Sequence, residues 1–206
     1  MPVTAGGVAT RREQTRRRLV EATEVLLTER SFAEITVEDV MASAGLTRTA
    51  FYRYFPHLEA LLLESVREIV GEVHAAAARW LEASGDLEEG LVDAAAGLAE
   101  VWARHGRVLL AVNEAAVAGE RVRAAWHSAI DAFVEPVTAR IEELSGGRAP
   151  HALETARALV WMIERYLLET YGRGRGVPTS VAATVLADIW RPVLAAVAAA
   201  PAGAAG

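Results

Sequence analysis

Residues 36–55 read Thr36-Val-Glu-Asp-Val-Met-Ala-Ser-Ala-Gly-Leu-Thr-Arg-Thr-Ala-Phe-Tyr-Arg-Tyr-Phe55, and the spacing within this stretch predicts a helix-turn-helix. Thr36 stands as an N-cap, with Glu38 and Asp39 in the first turn, where acidic side chains complement the helix dipole. Val37, Val40 and Met41 fall on one face of a first short helix. Ala44-Gly45-Leu46 makes the turn: glycine accepts a left-handed backbone, and Leu46 fills the angle between the helices. Thr47 is expected to cap a second short helix running to about Tyr54, with Phe51 and Phe55 on its buried side. That leaves Thr47, Arg48, Thr49, Tyr52 and Arg53 on the opposite face. Arginine, hydroxyls and a tyrosine on a short rigid helix suit the major groove of double-stranded DNA, where side chains reach base edges and phosphates. For Tyr54, core filling and DNA contact stay equally open.

The rest of the chain reads as helix as well. Alanine, leucine, glutamate and arginine dominate and no run alternates β-branched residues, so the fold class is all-α. The expected helices are 11–30, 36–44, 47–54, 56–81, 87–104, 107–117, 119–145, 151–171 and 179–198. Ser84-Gly85-Asp86, Gly106, Gly119, Gly146-Gly147 with Pro150, and the loop 172–178 punctuate them. This divides the chain into a disordered arm (1–10), a three-helix DNA-binding domain (11–56), a helical body (57–198) and a flexible tail (199–206).

Composition narrows the function. The chain has 206 residues, no cysteine and a net charge of −6, which excludes disulfides and thiolate chemistry and argues against nonspecific nucleic-acid binding as the whole activity. Residues 1–57 carry eight arginines against seven acidic residues, +1, while the remainder carries thirteen against twenty, −7. Every basic side chain apart from histidine is arginine, which suits bidentate phosphate and guanine contacts. The asymmetry points to a DNA-facing N-terminus, which holds the cluster Arg16, Arg17 and Arg18 and, as a further candidate contact, Thr36. No secretion signal is visible, and the apolar stretch 181–201 is broken by Asp188 and Arg191, so no membrane span is expected and the cytoplasm is the default. The histidines at 57, 74, 105, 127 and 151 have no metal-binding spacing. With no nucleophile motif and no phosphate loop, no catalytic residue, metal site or cofactor is expected.

Tryptophans at 80, 102, 126, 161 and 190 all lie outside the helix-turn-helix, and the last four fall on different predicted helices. Each alone is core filler; together they fit an aromatic-lined cavity between helices, the usual place for a small ligand. Asn113, Glu114, Glu164 and Arg165 are the polar candidates at such a site, although Glu164 and Arg165 read first as a structural ion pair. The last two helices carry apolar or small residues at Leu153, Ala156, Leu159, Val160, Ile163 and Leu167, and at Val181, Val185, Ile189, Val193 and Ala196, enough for a four-helix interface between two copies.

The stretch from Thr36 through Phe55-Pro-His-Leu-Glu-Ala-Leu-Leu62 resembles the N-terminal signature of TetR-family transcriptional regulators, with its Ala-Gly-apolar turn, its Phe-Tyr-X-Tyr-Phe end and its Glu-X-Leu-Leu opening of the next helix. Trp161-Met-Ile-Glu-Arg165 and Asp188-Ile-Trp190 resemble the EthR-like branch. The resemblance implies that Thr47, Arg48, Tyr52 and Tyr54 face DNA and that the last two helices form a homodimer. It also implies an apolar channel walled by Trp102, Leu110, Trp126, Ile130, Phe133, Val137, Trp161, Met162 and Trp190. Leu58 stands where the family usually has a phosphate-binding lysine, and Ala50 where a threonine is common; the comparison implies fewer phosphate bonds there, with His57 or Arg53 substituting in part and the cluster Arg16–Arg18 binding the DNA backbone on the other side. Val160 and Ile163 stand where the branch presents asparagines to the ligand, which implies a largely apolar effector. The expectation is a ligand-responsive repressor that binds a pseudo-palindromic operator as a homodimer. An activator of the same fold, or a helical interaction protein that does not bind DNA, are the alternatives.

Overall fold

The computed structural model describes residues 10–82 and 87–199. The expected arm, the break at 84–86 and the tail therefore lie outside the described residues, save for Thr10 and Ala199. Among the described residues there are nine α-helices and no strand: α1 Arg11–Glu29, α2 Val37–Ser43, α3 Arg48–Phe51, α4 Leu58–Glu82, α5 Leu87–Ala118, α6 Glu120–Asp131, α7 Val134–Ser145, α8 Ala152–Leu167 and α9 Thr179–Ala198. The chain divides into two compact units, with the boundary between Ser65 and Val66 inside α4.

In the first unit, local chemistry sets each helix start. Thr10 and Glu13 form a capping box at α1, and Thr36 and Asp39 form another at α2, where the Asp39 N–H donates to the Thr36 hydroxyl at 3.2 Å and the Thr36 N–H to the Asp39 carboxylate at 2.9 Å. These bonds from Thr36 hold the Asp39 carboxyl below its usual range. α2 ends at Gly45, whose φ of +65° is left-handed; its N–H donates to the Ala42 carbonyl and the Leu46 N–H to the Met41 carbonyl. This is the Schellman arrangement, and it makes the turn. α3 is shorter than expected, a single turn ending at Phe51. Tighter i to i+3 bonds, Arg53 to Ala50 and Tyr54 to Phe51, continue from there. Pro56 explains the stop, because its ring disfavours helical backbone at Phe55. Leu19 and Leu27 of α1, Val40 and Met41 of α2, Phe51, Phe55, and Leu61 and Leu62 of α4 are each at most 2% exposed and form the core.

In the second unit, α5 packs on α6 and α9 and against a π-helical turn at Leu168–Gly172, and α7 packs on α8 and α9. Two expected boundaries are corrected. Gly106 does not break α5, which runs unbroken over 32 residues. It sits instead where the helix touches the π-helical turn: a Cβ at Gly106 would lie 2.6 Å from the carbonyl carbon of Tyr171. The expected helix 119–145 is split between Asp131 and Val134. Pro136 falls in the first turn of α7, where a missing N–H is harmless; in a continuous helix its ring would strike the Ala132 carbonyl. The helix count matches expectation only because one merger and one split cancel. By length and composition α9 is apolar enough to cross a membrane. Its packing on α5 and α7, and the exposed Arg191–Asp188 pair at 2.8 Å, make it a wall of the helical body.

Candidate functional site

Buried Phe51 and Phe55, with ring centroids 6.0 Å apart, anchor α3 from beneath. The opposite face exposes Thr47, Arg48, Thr49, Tyr52 and Arg53, with Tyr52 58% exposed although its ring packs edge-on against Phe51. Thr47 makes no side-chain cap bond, so its hydroxyl is not committed to the helix. Arg48 is paired with Glu38 at 2.7 Å across the surface of α2. Both partners are largely exposed, and breaking such a pair costs at most about 1 kcal/mol. Glu38 is thus an acidic neighbour of the reading face whose effect on Arg48 no spacing rule reveals.

Other expected DNA contacts are occupied within the unit. Arg16 donates to the Tyr54 carbonyl at 3.0 Å, pairs with Glu64 at 2.8 Å and lies 4.5 Å over the Phe55 ring. Arg18 donates to the carbonyl of Ala44 in the turn at 2.5 Å. These two arginines brace α1 against the helix-turn-helix; within the cluster, Arg17 is exposed and appears in no such brace. The Thr36 hydroxyl donates to Asp39 at 2.7 Å as part of the α2 cap. His57 caps α4: its Nδ1 accepts the Ala60 N–H at 3.1 Å and lies 2.8 Å from a Glu59 carboxylate oxygen. Tyr54 is partly buried.

The second unit holds a partly open cavity of about 120 Å³. Of the expected ligand-site residues, Trp102, Trp126, Ile130, Phe133, Val137, Glu164 and Trp190 line it. Leu110, Asn113, Trp161, Met162 and Arg165 do not. Leu110 faces the π-helical turn, where its Cβ approaches Gly172, and Leu109 takes its place at the cavity. Asn113 is partly exposed one turn further along α5. On α8 the inward face is Val160, Ile163 and Glu164, so Trp161, Met162 and Arg165 rotate away. The Trp161 ring meets His127 edge-on at 5.1 Å, and Arg165 is 54% exposed. The positions that stand in place of asparagines, Val160 and Ile163, do line the cavity. The wall that α4 supplies, including Ile69, Val73, Ala77 and Trp80, escaped the sequence reading. Its i, i+4, i+8, i+11 spacing was the available signal.

Among the described residues Glu164 is the one ionisable side chain lining the cavity. It is 5% exposed, and both carboxylate oxygens lack a hydrogen-bond partner among the described residues. The expected ion pair is only a loose contact, 3.8 Å from Arg165 Nε, and Arg165 also approaches Glu169 at 3.9 Å. Burial pushes the Glu164 carboxyl above its usual range, against the pull of Arg165. The indole nitrogens of Trp80, Trp126 and Trp190 are likewise buried without a partner.

Of the expected dimer face, Ala156, Leu159, Val160 and Leu167 are buried within the unit and Ile163 lines the cavity. Leu153 on α8 and Val181, Val185 and Ile189 on α9 are exposed, between 37% and 49%. On α9 they continue through Pro192 and Ala196 as one outward stripe.

A family profile described as "Bacterial regulatory proteins, tetR family" matches residues 19–64, and one described as "Transcriptional regulator EthR, C-terminal domain" matches residues 91–197. The HTH-type transcriptional regulator EthR of Mycobacterium tuberculosis (strain H37Rv) is 30% identical over 179 residues, which are 84% of this chain and 83% of that one. EthR of Mycolicibacterium smegmatis is 26% identical over 80% of this chain and 79% of its own length. Two solved structures share the fold. A transcriptional regulator from Rhodococcus sp. Rha1 has a TM-score of 0.75 at 18% identity, with 90% of this chain and 99% of that one covered. GusR of Salmonella enterica has a TM-score of 0.72 at 18% identity, covering 90% and 98%.

Proposed function

The chain belongs to the TetR family of bacterial transcriptional regulators, and from that premise we propose that it is a cytoplasmic homodimeric repressor released from its operator by a small effector. The observation that carries the DNA-binding half is the α3 surface: Thr47, Arg48, Thr49, Tyr52 and Arg53 exposed together over a core of Phe51 and Phe55. Each protomer presents this helix to a major groove, and two related by a two-fold axis read the two halves of a pseudo-palindrome. Arg17 reaches the backbone beside it, while Arg16 and Arg18 fix the geometry of the head. The α9 stripe with Leu153 supplies the surface on which two copies meet.

The cavity supports the effector half of the reading. α4 carries the signal, because its first turns complete the reading head and its later turns wall the cavity. An effector weakens DNA binding only through its differential affinity for two conformations, and a hundredfold release needs about 2.7 kcal/mol of coupling. The test is a footprint of the purified full chain on the DNA flanking its own gene. A two-fold symmetric protected site that blocks transcription in vitro is the expected result; protection no different from that of scrambled DNA overturns the reading.

Leu58 offers a second check. It is the first residue of α4, where a lysine would meet a phosphate. Leu58→Lys is expected to raise operator affinity at low salt and to steepen the plot of log K against log salt by about 1.8, two added contacts per dimer at roughly 0.9 each. An unchanged slope means that the start of α4 does not approach the backbone.

A further inference from the structure

Glu164 is a buried acidic group whose only close counter-charge among the described residues is the loose contact with Arg165 at 3.8 Å. Among the described residues neither carboxylate oxygen has a hydrogen-bond partner, and the nearby Arg165 lies largely in solvent. An ionised carboxylate in such surroundings is costly until a cation or a set of donors reaches it. Around it stand the aromatic walls, Trp80, Trp102, Trp126, Phe133 and Trp190. Their ring faces attract positive charge and repel negative charge. Taking the cavity as the effector site, we propose that its ligand is a small apolar amine, bound as the ammonium with its nitrogen against Glu164 and its hydrocarbon among the tryptophans.

The walls and the acid select against other ligands. A hydrocarbon fills the space but leaves Glu164 unpaired, and a carboxylate or phosphate brings a like charge to it. A neutral alcohol donates one hydrogen bond without the charge. Size sets a further limit: about 120 Å³ is near the volume of an engineered cavity, roughly 150 Å³, that accepts benzene. The occupant of this conformation is therefore on the scale of one ring with a short arm.

Four single-ring probes test this on the full-length protein: benzylamine, its uncharged isostere ethylbenzene, benzyl alcohol and phenylacetate. Binding is read by calorimetry and by quenching of the cavity tryptophans. Benzylamine is expected to bind about ten- to hundredfold tighter than ethylbenzene, as a charge-assisted hydrogen bond implies, with phenylacetate weakest. In Glu164→Gln, and in Glu164→Leu as a second variant, benzylamine should lose that advantage while ethylbenzene still binds, which also shows that the cavity remains folded. The proposal is overturned if ethylbenzene or benzyl alcohol matches benzylamine, if phenylacetate binds best, or if the variants keep the preference. If none of the four binds saturably, the cavity is not the effector site and the underlying reading falls with the proposal.

Discussion

Gly106→Ala is expected to lower the stability of the second unit by about 2–3 kcal/mol, the upper part of the range for overpacking a tight contact. That corresponds to a Tm lower by roughly 4–12 °C for a chain of this size. The added methyl would meet the Tyr171 carbonyl carbon at 2.6 Å, the Tyr171 oxygen at 2.8 Å and the Gly172 nitrogen at 2.9 Å. All three are backbone atoms, so no rotamer change relieves the clash and α5 must move. Trp102 and Leu109, which flank Gly106 on α5 and line the cavity, move with it. The same substitution at Gly71 in α4 is the control. A Cβ there has nothing within 4 Å, so Gly71→Ala should stabilise by up to about 1 kcal/mol through helix propensity alone. Urea unfolding of both variants decides the matter: equal responses would show that the α5 contact with the π-helical turn does not constrain the fold.

Phe51→Ala is the second large effect, and it should fall on the other unit. Phe51 is fully buried, and truncating such a ring costs about 3–5 kcal/mol. A unit that ends at Ser65 buries little surface and has little stability to lose. The reading head is therefore expected to unfold and operator binding to vanish, with part of the helical circular dichroism. All five tryptophans lie beyond Ser65, so the tryptophan fluorescence transition should keep its midpoint. Phe51→Leu, which fills most of the same volume, should retain binding. Loss of the tryptophan transition in Phe51→Ala would mean that the two units do not unfold independently.

The contrast between these variants mirrors what the sequence made legible. In the reading head the decisive signals are local. Thr36 with Asp39, Gly45 and Pro56 each act within a few residues, so the turn, the α2 cap and the buried phenylalanines were readable in order; the expected Thr47 cap bond is not formed, and the caps that Thr10 and His57 supply were not foreseen. The arginine cluster was not, because Arg16 and Arg18 bind main-chain carbonyls 38 and 26 residues away. In the body, Gly106 looked like a break because its partner, Tyr171, is distant in sequence. The α8 face was misread by a rotation of about one residue. Trp161 and Met162 are larger and drew the assignment, while the smaller Val160 and Ile163 point inward. Resemblance to the branch had already marked those two positions as ligand-facing, which pattern alone did not.

The cavity also makes the protein responsive to a physical variable other than ligand or temperature. A void of about 120 Å³ per molecule amounts to about 70 mL per mole, within the span of volume decreases seen when proteins unfold under pressure. The space loses its walls once the helices separate, and compression favours the state with fewer packing voids. Hydrostatic pressure is therefore expected to destabilise the body. An occupant that fills the void removes the lever, and the pressure needed to unfold the body then reports how completely the space is filled.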